Sequence, residues 1–205
     1  MELGLVQSLS RPGGNVTGVA GIGHLHPKRL ELLKETVPRL ARVAILWTPA
    51  NPGHQGSLTE AEAAARTLEI QLQPVEVRDA AGLEGAFSAM TKERPGALLV
   101  FGDAMFFRER TRIVALAAKG RLPTMFIWTQ AVEDGGLMSY GEDRSEGPRR
   151  AAMYVDRILK GARAGDLPVE RPAKFDLAVN LKTAKALRLT IPESILARAT
   201  KVIGQ

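Results

Sequence analysis

Three histidines, no cysteine and a scatter of carboxylates are what this sequence offers to covalent or metal chemistry. His24 and His26 stand two apart, so in an extended segment their side chains face opposite sides, and no third ligand accompanies them. They and the lone His54 read as surface histidines, and no metal site is expected. The lack of cysteine removes disulfides, thiolate metal sites and thiol nucleophiles together. Met138-Ser-Tyr-Gly141 follows Leu137, where a serine-nucleophile elbow needs glycine. Gly18, Gly21 and Gly23 cluster, but His26 stands where a dinucleotide fingerprint needs its third glycine, and the phosphate-loop pattern is missing. No nucleophile, acid–base set or cofactor cradle emerges, so neither an enzyme nor a cofactor is expected.

What remains is recognition, and it depends on the elements that would present it. Val43–Trp47, Ala97–Phe101 and Thr124–Trp128 are continuous apolar runs of strand length, the pattern of central strands covered on both faces. Leu72–Val77 and Leu137–Tyr140 are weaker strand candidates, the former near an edge because of Pro74. Between them lie helical stripes. Ser57-Leu-Thr-Glu60 has capping-box spacing before Ala61, Ala65 and Leu68, Leu83–Met90 makes a second stripe, and Phe106–Ala117 a third. Strand and helix alternating over 42–141 predict a doubly wound α/β domain with a mostly parallel sheet.

In such a sheet ligands bind beyond the carboxyl ends of the strands, near helix N-termini. The loops there are Thr48–Gly53, Gly102–Met105, Thr129-Gln130 and Gly141-Glu142. They offer hydroxyls, an amide, a carboxylate and aromatic walls to a small polar solute. The same residues have plainer uses. Thr48 and Asn51 also suit turn and capping hydrogen bonds, and Asp103 suits a helix cap. Trp47 and Trp128 end apolar runs and are more readily core than ligand platform.

The remainder of the 205 residues is less self-sufficient. A helix over about 145–160 precedes a Pro-containing stretch (165–172), a strand near 175–179 and a helix from about Lys182. Residues 1–40 hold one turn-rich strand and one helix around 27–37, too little to bury a core alone. Both ends therefore read as pieces of a second lobe. The formal net charge is +6, and residues 142–188 carry eleven Lys/Arg against seven Asp/Glu. These cations are spread at helical intervals with few aromatics between them, so no nucleic-acid partner is expected. No leader opens residues 1–14 and no apolar run approaches a membrane span, so the sequence as it stands reads as cytoplasmic.

The sequence resembles the bacterial ABC-transporter substrate-binding proteins, the group that includes tryptophan- and tyrosine-type binding proteins. The likeness runs in order through Ser10-Arg-Pro-Gly-Gly-Asn-Val-Thr-Gly18, Lys28-Arg-Leu-Glu-Leu-Leu-Lys-Glu35 and Trp47-Thr-Pro-Ala-Asn-Pro52. It continues through Gly135-Gly-Leu-Met-Ser-Tyr-Gly141, Asp166-Leu-Pro-Val-Glu170 and Asn180-Leu-Lys-Thr-Ala-Lys-Ala-Leu187. The resemblance implies a type I periplasmic-binding-protein fold whose two lobes close on a solute, an ABC permease as partner, and a periplasmic or membrane-anchored location. On that basis 1–41 is a remnant of the N-terminal lobe, 42–141 a complete C-terminal lobe, and 142–205 the crossover helix and closing elements of the first lobe. Binding residues carry over to Ala50, Asn51, Pro52, Asp103, Tyr140 and Gly141. Thr48 departs from the family's usual Asn, and Gly102-Asp-Ala104 from its Pro-Asp-Pro-like turn, which leaves the solute open. The competing reading keeps the same lobe as a cytoplasmic sensor without transport. With an incomplete lobe, weak solute binding by residues 1–205 is expected, as is self-association through apolar faces such as Ile158/Leu159 and Leu187/Leu189.

Overall fold

The computed structural model describes residues 4–21, 25–143, 147–172 and 174–204. His24, Gly23 and the expected helix start at Ser145 lie outside these residues. Seven strands form one sheet in the order β2-β1-β3-β4-β5-β6-β7. They are β1 (Arg42–Trp47), β2 (Gln71–Glu76), β3 (Ala97–Val100), β4 (Thr124–Phe126), β5 (Met138–Glu142), β6 (Phe175–Asn180) and β7 (Lys201–Ile203). The pairs β1–β2, β1–β3, β3–β4, β4–β5 and β6–β7 all run parallel.

The apolar runs are strands because both their faces are covered. Val43 and Ile45 point to one side, packed with Leu30 and Leu33 of α1 (His26–Thr36), Leu58 and Ala61 of α2 (Gly53–Thr67), and Ile195. Ala44 and Leu46 point to the other side, against Leu83 and Phe87 of α3 (Leu83–Lys92). There they also meet Phe106 of α4 (Ala104–Arg108) and Ile113 of α5 (Arg110–Lys119). Period-two alternation along each strand thus builds two cores from one sequence run. Burying each such side chain is worth about 1.5–3 kcal/mol.

The chain divides into compact units at 23/24, 141/142 and 175/176; the second is an expected boundary, and the first stands where 41/42 was expected. One unit is Met1–Gly23 with Glu142–Phe175; the other is His24–Gly141 with Asp176–Gln205. Helix α1 and everything from Asp176 onward belong with the central sheet, because their apolar faces meet it. Ala184 of α8 (Leu181–Ala186) and Ile195 of α9 (Glu193–Leu196) lie in the same core as Val43 and Leu99. Glu35 of α1 binds Arg198 at 2.5 Å, and the Ser194 hydroxyl and then Arg198 hold its carboxyl below the usual range. Leu187 and Leu189, expected to be uncovered, pack against this core.

The smaller unit is held mostly by backbone hydrogen bonds. The Thr17 hydroxyl donates to the Leu167 carbonyl at 2.6 Å, Val19 bridges Glu170 in parallel, and the Gly13 N–H reaches the Gly165 carbonyl at 3.1 Å. Its helix α7 (Gly147–Leu159) buries Tyr154 alone, while Met153, Val155, Ile158 and Leu159 are exposed. The Tyr154 hydroxyl lies 2.5 Å from the Pro168 carbonyl and 3.0 Å from a Glu170 carboxylate oxygen.

Several boundaries differ from the sequence expectation for local reasons. Helix α2 begins at Gly53, four residues before the Ser57 capping box, because Asn51 supplies the cap: its side-chain oxygen accepts from the Gly53 N–H at 3.1 Å and its carbonyl from His54 at 3.1 Å. The single stripe expected over 106–117 is two helices, α4 and α5, meeting at Glu109. The expected strand 124–128 stops at Phe126, and a short helix α6 (Thr129–Glu133) follows Trp128.

Four helix C-terminal turns share one device, three of them leading to a strand and the one after α8 leading to α9. Glu69, Arg94, Arg121 and Arg188 follow α2, α3, α5 and α8 with φ between 49° and 58°, the left-handed region. At three of them the next residue folds back onto the helix: Ile70 N–H to Ala65, Leu122 to Ala117 and Leu189 to Ala184, at 2.8–2.9 Å. A side chain in this conformation costs about 1–2 kcal/mol. An arginine regains part of that from the helix dipole, roughly 0.3–1 kcal/mol, whereas Glu69 meets the negative end of α2.

Two predictions follow from these packing arrangements. Glu69→Gly raises stability by about 0.5–1 kcal/mol, more than Arg121→Gly or Arg188→Gly, as read by the denaturation midpoint. Burial, and then the bond to Glu170, push the Tyr154 phenol above its usual range, so its stabilisation is intact below the unfolded value and lost as pH rises through the folded one. The Tyr154→Phe variant therefore lacks the highest-pH step of the phenolate absorbance titration, and loss of a step at lower pH would contradict this.

Candidate functional site

The carboxyl ends of β1, β3, β4 and β5 turn into consecutive loops within the larger unit, and close contacts join them in series. The Asn51 amide donates to the Asp103 carboxylate at 3.1 Å, linking the first loop to the second. Gly102 lies so near Ile127 that a Cβ on it would sit 2.5 Å from the Ile127 side chain. A Cβ on Gly141 would sit 2.2 Å from the Ile127 carbonyl oxygen, so the fourth loop lies flat on the third. Only glycine permits that approach.

Each sequence-predicted residue has a definite place in this series. Thr48 is buried, and its hydroxyl accepts weakly from the Ala50 N–H at 3.4 Å. Ala50 and Pro52 are exposed at the tip, with Asn51 partly covered between them. Asn51 performs the capping role weighed for it and also reaches Asp103. Asp103 caps α4, accepting from the Met105 N–H at 2.8 Å through the oxygen that does not meet Asn51. Thr129 opens α6 and is half-buried. Tyr140 is half-buried against the core, and its carbonyl accepts from Arg29 Nε at 2.8 Å. Gly141 is buried. Trp128 is core, edge-on to Phe107 at 5.3 Å, whereas Trp47 is only half-buried.

The histidines are a correction. His26 and His54 are 8% and 4% exposed, not surface residues. The His54 ring fits between two loops, with Nδ1 3.1 Å from the Thr48 N–H and Nε2 3.2 Å from the Gly102 carbonyl. Phe101 separates the two imidazoles, with ring centroids at 5.3 Å from His54 and 4.3 Å from His26. For His54, burial is tolerable because backbone groups meet both ring nitrogens. The missed signal was periodicity: His54, Leu58, Ala61 and Ala65 continue one stripe, as do His26, Arg29, Leu30 and Leu33.

The smaller unit has a hollow of its own. A cavity of about 470 Å³ is lined by Gly21, Glu142, Asp143, Arg150 and Lys174 among others. It holds two acids and two bases, and Arg150 also pairs with Glu170 at 2.6 Å. Among the described residues no group of three or more His, Asp or Glu could hold a metal ion. Among the same residues no helix is long and apolar enough to cross a membrane.

Strand-end loops on a doubly wound sheet, drawn together by hydrogen bonds and glycine contacts, are the place where open α/β folds meet small ligands. The model of the ABC transporter substrate binding protein family matches residues 1–203, and the chain belongs to that family. It is a family of binding proteins and not of enzymes. The chain is 27% identical to the ABC domain crystallised in complex with L-Trp from Streptococcus pneumonia, with a TM-score of 0.90, covering 99% of this chain and 69% of that one. A conserved domain protein from Vibrio cholerae is equally similar, with a TM-score of 0.90 and 27% identity over 98% of this chain and 68% of its own. A tyrosine-binding protein of Clostridioides difficile is 23% identical over 91% of the chain. The chain spans about half the length of that curated relative (54%).

The glycine contact yields a sharp test. Gly141→Ala must part the ends of β4 and β5, and destabilisation of about 1–3 kcal/mol in urea is expected. Gly56→Ala, inside α2 with nothing within 4 Å of the added methyl, moves the midpoint the other way by roughly 0.5–1 kcal/mol. Equal effects of the two would refute the close approach.

Proposed function

We propose that this protein captures an aromatic amino acid, L-tryptophan or L-tyrosine, as the solute-binding component of an ABC importer. The observation that carries this reading is the likeness to the L-Trp-bound domain over 99% of the chain, within a family of substrate-binding proteins. The tyrosine-binding relative points to the same chemical class. Capture is reversible and forms no covalent bond.

The surface we assign to the solute is the series of strand-end loops, through Thr48, Ala50, Asn51, Pro52, Asp103, Thr129, Tyr140 and Gly141. Tyr140 offers a ring edge or face to an aromatic side chain. Asp103 carries a negative charge, but Asn51 and the Met105 N–H engage both its oxygens. It therefore acts on a solute ammonium as a fixed charge within a network, not as a free carboxylate. Asn51 takes up the first two N–H groups of α2, those of Gly53 and His54, which weakens the idea that this helix end holds the solute carboxylate. The separate cavity of the smaller unit is lined by groups of both signs: Arg150 and Lys174 suit a carboxylate, and Glu142 and Asp143 an ammonium. Its volume falls within the range of small-molecule sites. Outside the cytoplasmic membrane, the loaded protein would deliver its solute to a permease.

Ligand-observed saturation-transfer NMR detects weak binding and suits the question. Transfer to the ring protons of L-tryptophan and L-tyrosine is expected, with L-leucine at least about tenfold weaker, a difference of 1.4 kcal/mol. Tyr140→Ala weakens the aromatic ligands by up to about tenfold. Equal transfer to all three amino acids, or none to the aromatic pair at millimolar concentration, would end this reading.

A further inference from the structure

The loops assigned to the solute are tied at two depths. Nearer the solvent, the Asn51 amide meets the Asp103 carboxylate at 3.1 Å. Beneath it His54, 4% exposed, meets the same two loops again, at the Thr48 N–H and the Gly102 carbonyl. A chain of buried groups then runs on from His54 to the edge of Phe101 and across to His26. The His26 ring Nδ1 stands 3.4 Å from the Arg29 guanidinium, and Arg29 Nε donates to the Tyr140 carbonyl at 2.8 Å. All of these residues belong to the larger unit.

We propose that His54 and Arg29 are positioning residues, which set the spacing of the loops bearing Asn51, Asp103 and Tyr140 without touching the solute. The inference rests on the reading of those loops as the solute-binding surface. Chemistry favours it over plain core packing. A leucine would fill the volume under Phe101, but it could neither accept from Thr48 nor donate to Gly102, and both backbone groups would lose a partner. Imidazole is suited to the place because it carries one acceptor and one donor on opposite sides of a rigid ring. A ring with its proton on Nε2 satisfies both neighbours: Nδ1, 3.1 Å from both the N–H and the carbonyl of Thr48, accepts from the N–H, and Nε2–H donates to Gly102. Arg29 does at Tyr140 what His54 does at Thr48, fixing a strand end through its main chain and leaving the side chain to the solute.

Because the two ties act on different loops, their removal has different addresses. His54→Phe keeps a ring against Phe101 and deletes both hydrogen bonds; His54→Gln restores one donor and one acceptor. In the ligand-free 205-residue protein, His54→Phe is expected to speed amide exchange about tenfold or more at residues 48–51 and 101–103. Exchange in β2 and α3 stays unchanged, and His54→Gln recovers most of the protection. Arg29→Met gives the same loss at residues 140–141 alone. A uniform rise across the whole sheet, or no rise in the loops, would overturn the proposal. Nitrogen-15 NMR of the wild-type imidazole supplies a check that needs no variant: a proton on Nδ1 and none on Nε2 would also overturn it. Titration with L-tryptophan separates this inference from the functional one. Loosened loops with unaltered L-tryptophan affinity refute positioning and leave the solute reading standing. No L-tryptophan binding by wild type refutes the solute reading, and the exchange pattern still decides positioning.

Discussion

A parallel sheet can show neither face to water, since its strands are joined by crossovers that lay helices on both sides. That constraint shapes most of this molecule. It requires Val43-Ala-Ile-Leu46 to be apolar without interruption, one pair of side chains for each core. It requires helices of moderate length with one apolar stripe apiece. It also leads successive strands to end at one edge, so the loops after β1, β3, β4 and β5 become neighbours although dozens of residues separate them in sequence. The surface proposed for the solute is a by-product of how the core is covered.

This explains what could be read in the sequence and what could not. Burial on both faces leaves a plain mark, and the strands at 43–47 and 97–101 were legible from it, as was the doubly wound class. The unit boundary at 141/142 was legible too, but those at 23/24 and 175/176 were not. Residues 1–40 and 165–205 looked like parts of one foreign lobe because each was too small to fold alone. Helix α1 and the segment after Asp176 instead complete the central sheet, a non-local pairing that no local pattern marks. The short pieces α6, α9 and β7, of three to five residues, lie below the length at which periodicity can be counted. The start of α2 was missed because a capping box at Ser57 is a stronger textual signal than one asparagine at position 51, yet Asn51 satisfies the donors first.

Site residues were legible by position and not by partner. The rule that ligands meet strand carboxyl ends pointed to these loops, and the structure joins them through Asn51–Asp103 and Ile127–Gly141. It could not say that Asp103 already serves two hydrogen bonds, nor that two histidines lie under the loops. Polar residues on an apolar stripe are easily read as surface, because hydropathy counts a histidine as polar wherever it stands. Its burial becomes tolerable only when backbone groups from a distant loop supply partners, and those partners have no signature near it in the chain.

The excess of positive charge has a structural use that needs no acidic partner. Arg94, Arg121 and Arg188 each occupy the left-handed residue that ends a helix, where glycine is the usual choice. An arginine there accepts backbone strain but sets its charge against the negative end of the helix dipole, and it keeps the unfolded chain less free than glycine would. The two gains together approach the strain, so such positions tolerate arginine in a way they would not tolerate valine. Three of the cations in the net +6 are thereby explained by chain reversal. What the turns demand, at the edge opposite the strand-end loops, is set by the geometry of the helix C-termini; what the solute demands is set at the other edge. The two edges can change independently.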